Sequence, residues 1–141
     1  MSEPIGFYEG RFYMLSNFSA HQVVYEGVRY ATSEHAYQAA KFSDLVQREK
    51  IMQAPSAFLA REYGQSLDGR VESFDKIGVI KNIMREKMVQ HDDVREALRA
   101  TGDAEILKNH PDDDGFWGMG PDGSGQNNMG KIWMELRAEI I

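Results

Sequence analysis

The stretch Val23-Val24-Tyr25-Glu26-Gly27-Val28-Arg29-Tyr30-Ala31-Thr32-Ser33-Glu34-His35-Ala36-Tyr37-Gln38-Ala39-Ala40-Lys41-Phe42 changes its period half-way along. Up to Tyr30, β-branched and aromatic residues flank a Glu-Gly pair, the composition of a hairpin. From there the pattern is helical. Thr32 or Ser33 is placed to cap a helix running to Phe42, with Glu34 in the first turn, where the helix dipole favours an anion. A hairpin followed directly by a helix makes the class α+β.

Outward from this stretch the elements follow by the same signals. Upstream, Phe7-Tyr8-Glu9 and Phe12-Tyr13 read as short strands about a turn near Gly10. Downstream, Asp44 caps a helix to about Gln53, and Pro55 suits the first turn of another that ends at Gly64. Ile77, Ile80, Met84 and Met88 give Ser73 to Gln90 helical spacing, so this is the expected longest helix and a core one. Asp92 or Asp93 opens a helix that stops before Gly102, and Ala104-Glu105-Ile106-Leu107 reads as a last strand. Asn109 to Asn128 is a loop, after which Asn128 caps a terminal helix with Met129, Ile132, Trp133, Leu136 and Ile140 inside. With no repeat and no linker, residues 1–141 read as a single compact domain. It is mostly helical, with a small N-terminal sheet or hairpin and a Gly-rich functional loop before the C-terminal helix.

Composition narrows the function classes. In 141 residues, 42% hydrophobic content supplies a core, which excludes global disorder. No run approaches 18 apolar residues, so no membrane contact is expected, and Met1-Ser2-Glu3-Pro4 lacks the basic-then-apolar order of a secretory signal. The chain has no cysteine, which removes disulfides, thiolate metal sites and cysteine nucleophiles; a cytoplasmic location is expected. Sixteen basic against 22 acidic residues leave a net charge of −6. That balance disfavours extended binding to a phosphate backbone while leaving room for a pocket that takes one nucleotide.

Two regions can carry chemistry. Glu34, Gln38 and Lys41 fall on one face of the first helix with Tyr37 beside them, while Ala36, Ala39 and Ala40 lie opposite. The ordinary reading is a solvated face with a Glu–Lys pair; the sharper one is a polar face lining a pocket. The second region is the loop Asp112-Asp113-Asp114-Gly115-Phe116-Trp117-Gly118-Met119-Gly120-Pro121-Asp122-Gly123-Ser124-Gly125-Gln126-Asn127-Asn128. Loops this rich in glycine carry a high ordering cost and are usually functional. Gly118 to Gly123 spells G-x-G-x-x-G and Gly125 to Lys131 spells G-x-x-x-x-G-K, yet neither has the strand–loop–helix context, and Ile132 replaces the magnesium-binding hydroxyl. Exposed N–H groups ahead of Asn128 remain as an anion cradle. The acids lack EF-hand spacing and the four histidines are scattered, so no metal and no cofactor are expected.

Four blocks in this order, Leu15-Ser16-Asn17-Phe18, Thr32 to Phe42, Asp114-Gly115-Phe116-Trp117-Gly118 and Gly123 to Lys131, with Leu136-Arg137, resemble the NADAR (YbiA-like) superfamily from about Gly6 to Arg137. One departure is Ser73-Phe74-Asp75-Lys76, where the family often has an aromatic residue directly before a helical lysine. The resemblance implies an N-glycosidase that hydrolyses the C–N bond between ribose and a base or ring amine. The substrate would be an early riboflavin-pathway ribosylamine phosphate or an ADP-ribosylated guanine base, the latter with transient nucleic-acid contact. Glu34 and Asp114 can then divide acid and base roles, while Lys41 or Lys76 either clamps phosphate or attacks C1′ to form a Schiff base. Lys76 is a second phosphate candidate, and Trp117 stacks on the base or anchors the loop. Gly118, Gly123 and Gly125 admit phosphates, and Asn17, Thr32, Tyr37, Gln38 and Asn128 complete the implied substrate contacts. The alternative from another class is a non-catalytic module that binds ADP-ribose or a nucleotide.

Overall fold

A computed structural model describes residues 3–140. Along the chain it has β1 (Ile5–Gly6), a 3-10 helix (Gly10–Leu15), β2 (Val23–Tyr25), β3 (Val28–Tyr30), α1 (Ser33–Ala40), α2 (Leu45–Met52), α3 (Ala57–Ser66), α4 (Lys76–Gln90), α5 (Asp92–Ala100), β4 (Ile106–Leu107) and α6 (Asn128–Glu139). The class is α+β and mostly helical, as expected. The reading of the first residues as no secretory leader begins on residues 1 and 2, and the expected domain ends at residue 141; these three lie outside the described residues. The chain divides into two compact units, Asn17–Gln90 and the segments Met1–Ser16 with His91–Ile141.

In Asn17–Gln90, β2 and β3 pair antiparallel with Val23 opposite Tyr30. Their turn places Glu26 and Gly27 at φ 50° and 80°, the left-handed pair that matches strand twist in a two-residue hairpin. Asp44 Oδ1 accepts the N–H groups of Val46 and Gln47 to start α2. Pro55 lies ahead of α3 and not in its first turn: Ser56 is the cap, its Oγ accepting the Leu59 N–H, and the helix continues past Gly64 to Ser66. The longest helix, α4, begins later than expected, where Asp75 accepts the Gly78 N–H, which leaves Ile77 outside the core at 41% exposure. Ile80, Ile83, Met84 and Met88 form its buried stripe.

In the second unit, β1 and β4 pair parallel, Ile5 with Ile106. The expected strands at Phe7–Glu9 and Phe12–Tyr13 are absent: the pairing residues are Ile5 and Gly6, and Gly10, at φ 81°, turns the chain into the 3-10 helix. That coil buries Leu15 and leaves Tyr13 exposed, and the Trp133 indole N–H donates to the Leu15 carbonyl at 2.9 Å. One hydrogen bond and one buried leucine override the strand propensity of Phe12 and Tyr13. α6 buries Met129, Ile132, Trp133 and Leu136. Its N-cap is Asn127, at φ 53°, and not Asn128; Ile140 is the C-cap.

Candidate active site

Helix α1 packs against α2, α3, α4 and both hairpin strands, so every residue from Ser33 to Ala39 is buried. The solvated-face reading is therefore overturned for Glu34 and Gln38, while Lys41, just past this run, is half-buried. Periodicity separates two faces of a helix, but it cannot show that neighbouring helices cover both. Glu34 is 8% exposed and Gln38 2%. Gln38 Nε2 donates to Glu34 Oε1 at 2.9 Å, and the Glu34 N–H donates to the Asn17 carbonyl at 3.1 Å. Thr32 Oγ1 accepts the His35 N–H at 3.2 Å and lies 2.8 Å from His35 Nδ1, while His35 Nε2 donates to the Ala54 carbonyl at 2.9 Å. The first turn is thus pinned from three directions. Gly64 of α3 lies so close to Gln38 that a Cβ there would collide with its amide. Gln38 Oε1 is buried and accepts no hydrogen bond among the described residues.

Lys41, the C-cap residue of α1, holds its ammonium 5.0 Å from the Tyr37 ring centroid, and Tyr37 in turn lies 5.8 Å from the Phe74 ring. Burial pulls the Lys41 pKa below the usual lysine value; Glu34 works against this, and Arg70 and Lys76 reinforce it. Burial, then the Glu34 charge, pushes Tyr37 above the usual tyrosine value, so its phenol keeps its proton. Lys76, at the start of α4, is exposed. Sequence reasoning missed Phe74 as the wall beside Tyr37, although it had marked that segment as unusual. It also missed Lys87, which is fully buried with Nζ donating to Ser19 Oγ at 2.6 Å. A carboxylate, an amide, a phenol and an amine of lowered basicity form a proton-transfer and nucleophile set rather than a metal-ligand set.

The other expected residues lie in the glycine loop of the second unit. Asp114 is exposed, and its Oδ1 accepts the Phe116 N–H at 3.0 Å. The buried carboxylate is its neighbour Asp113, which accepts the N–H groups of Gly115 and Gly120 at 2.9 and 3.2 Å and the Lys108 ammonium at 3.2 Å. Trp117 is half-buried, edge-on to Phe116 at 4.8 Å. The expected anion cradle before α6 is not open. The N–H groups of Gly125, Gln126, Asn127, Asn128 and Met129 donate to the carbonyls of Met119, Gly115, Gly118, Phe116 and Trp117. Gly125 is required there, because a Cβ would strike the Gly118 carbonyl. Gly123, at φ 81°, is exposed at the tip. The Asn128 amide donates to the Phe116 carbonyl at 2.9 Å. Within this unit Trp117, Gly118, Gly125 and Asn128 are brought together, while Asp114 and Gly123 stay exposed; Thr32, Glu34, Tyr37, Gln38 and Lys41 are brought together in the other.

The NADAR domain family matches residues 6–141, a span that takes in both units. The chain belongs to this family. It is 36% identical to N-glycosidase YbiA of Escherichia coli (strain K12), over 89% of this chain and 79% of that protein. It is 40% identical to a riboflavin biosynthesis protein of Vibrio vulnificus (strain YJ016) over 99% of this chain, but spans only 39% of that protein's length. The NMR structure of E. coli YbiA superposes with a TM-score of 0.87 at 32% identity, covering 98% of this chain and 84% of that one.

Proposed function

We propose that this NADAR-family chain is an N-glycosidase, a hydrolase that cleaves the C–N bond between ribose and a base or ring amine. The observation that carries the reading is the α1 cluster: a buried Glu34 bonded to Gln38, with a lysine whose basicity burial has lowered one turn beyond Gln38. A free-standing binding module has no use for a desolvated amine beside a carboxylate, whereas a C–N cleaving enzyme uses both. The names of the N-glycosidase relatives point to the same chemistry.

The lowered basicity of Lys41 favours the covalent route over simple acid–base hydrolysis with a phosphate-clamping lysine. After the sugar ring opens, the Lys41 amine adds to C1′; the C1′–N bond then breaks as Glu34 delivers a proton to the leaving nitrogen. Water adds to the resulting Lys41 iminium, Glu34 takes its proton, and the amine leaves as the sugar is released. Tyr37 and Gln38 hold the two groups in place. The substrate class is a ribosylamine phosphate of the riboflavin-intermediate type or an ADP-ribosylated guanine base. Incubation with each, followed by mass spectrometry, tests this: free base and free sugar phosphate or ADP-ribose are expected. Ligand retained without cleavage would return the chain to the non-catalytic class. Borohydride added during turnover should leave a sugar adduct on Lys41, and uncut protein mass under turnover would restore the acid–base route.

A further inference from the structure

Arg61 on α3 is the cation whose surroundings the α1 chemistry leaves unexplained. Its guanidinium carbon lies 5.3 Å from the ring centroid of Phe18 and 5.3 Å from that of Phe58. Phe58 is 51% exposed, although it sits on a helix whose neighbours bury Ala57 and Ala60. Among the described residues, Arg61 makes no ion pair or hydrogen bond beside these two ring contacts. Arg95 and Arg99 of α5, by contrast, each pair with a carboxylate three residues earlier. The reason is in the sequence. Three and four residues from Arg61 stand Phe58, Ala57, Gly64 and Gln65, so α3 offers it a ring and no acid.

A guanidinium held against rings spends none of its N–H groups on them, and those N–H groups form a fork suited to a bidentate anion. The stack also stands at the Glu34 end of α1. Asn17 accepts the Glu34 N–H, Phe18 is the next residue, and the first turn of α1 is the positive end of its dipole. On the reading of the chain as a ribosyl N-glycosidase, the anion that must arrive with the sugar is its 5-phosphate. We propose that Arg61, oriented by Phe18 and Phe58, is the subsite for the 5-phosphate of the ribosyl substrate. Exposed Lys76 is then dispensable for phosphate binding.

Calorimetric titration of the intact protein with ribose 5-phosphate and with ribose tests this without requiring any bond to break. A failed N-glycosidase assignment would show as absent turnover with this binding intact. Wild type should prefer ribose 5-phosphate to ribose. Arg61→Ala should weaken ribose 5-phosphate roughly tenfold or more, the scale of a charge-assisted hydrogen bond, and leave ribose unchanged. Arg61→Lys keeps the charge without the fork and should recover only part of the loss, while Phe58→Ala should weaken binding by a smaller factor. In turnover, Arg61→Ala should raise KM and largely spare kcat. An ADP-ribose arm separates the two phosphate sources: a Phe58→Ala loss larger for ADP-ribose than for ribose 5-phosphate assigns the diphosphate, and an equal loss assigns the monoester. Unchanged ribose 5-phosphate affinity in both Arg61 variants, or a wild type that does not distinguish it from ribose, would overturn the proposal.

Discussion

At the scale of single residues, the proposed chemistry turns on Lys41. Its pKa is lowered mainly by burial, so at a given pH it carries more free amine than an exposed lysine does. As a nucleophile, Lys41 makes kcat/KM rise with pH through that lowered pKa; as a phosphate clamp, it would make activity fall over the same window. A rising limb in the wild type, with turnover abolished in Lys41→Arg, is the expected outcome, read from initial rates across the alkaline range. The same shift has a consequence for stability. Between the folded and the ordinary lysine pKa, the unfolded chain binds the extra proton, so Lys41 makes stability rise with pH there. Tyr37 works the other way: its folded pKa is raised, so its contribution is lost above the ordinary tyrosine pKa. Tyr37→Phe should flatten the alkaline fall in melting temperature relative to wild type. Gly64→Ala pushes a methyl group into the Gln38 amide and should cost about 1–3 kcal/mol, measurable by chemical denaturation.

At the scale of elements, local signals were legible and burial was not. The hairpin, α1 with its Thr32 cap and α2 with its Asp44 cap were readable because the turn pair and the caps act within four residues. The 3-10 helix was not, because its cause is the remote Trp133 bond to Leu15. The start of α3 at Ala57, after its Ser56 cap, was missed because Pro55 fits either just before or just inside a helix. Of the candidate site, Glu34, Gln38 and Lys41 were readable as a face, but their enclosure by three helices was not. The glycine loop was readable as special, but which of its acids is buried was not. Asp113, buried and holding two loop N–H groups and Lys108, is indistinguishable in sequence from exposed Asp112 and Asp114. Asp113→Ala strands those partners and should cost about 1–3 kcal/mol, seen as a lowered melting temperature; Asp112→Ala should change little.

At the scale of the whole molecule, net charge and family membership set the substrate range. A charge of −6 provides no counterion-release term for a long phosphate backbone. Unmodified single-stranded DNA should therefore bind more weakly than about 100 µM at physiological salt, the weak end of non-specific binding. Any preference for a nucleic-acid substrate must then come from the modified base itself. No helix among the described residues is long and apolar enough to cross a membrane. The central claim is that the buried polar face of α1 breaks a glycosidic C–N bond. Single-turnover release of free base, compared between wild type and Glu34→Gln at saturating ligand, tests it most directly. The account predicts a loss of roughly 100-fold or more in Glu34→Gln with ligand affinity and melting temperature retained; release at close to the wild-type rate would contradict it.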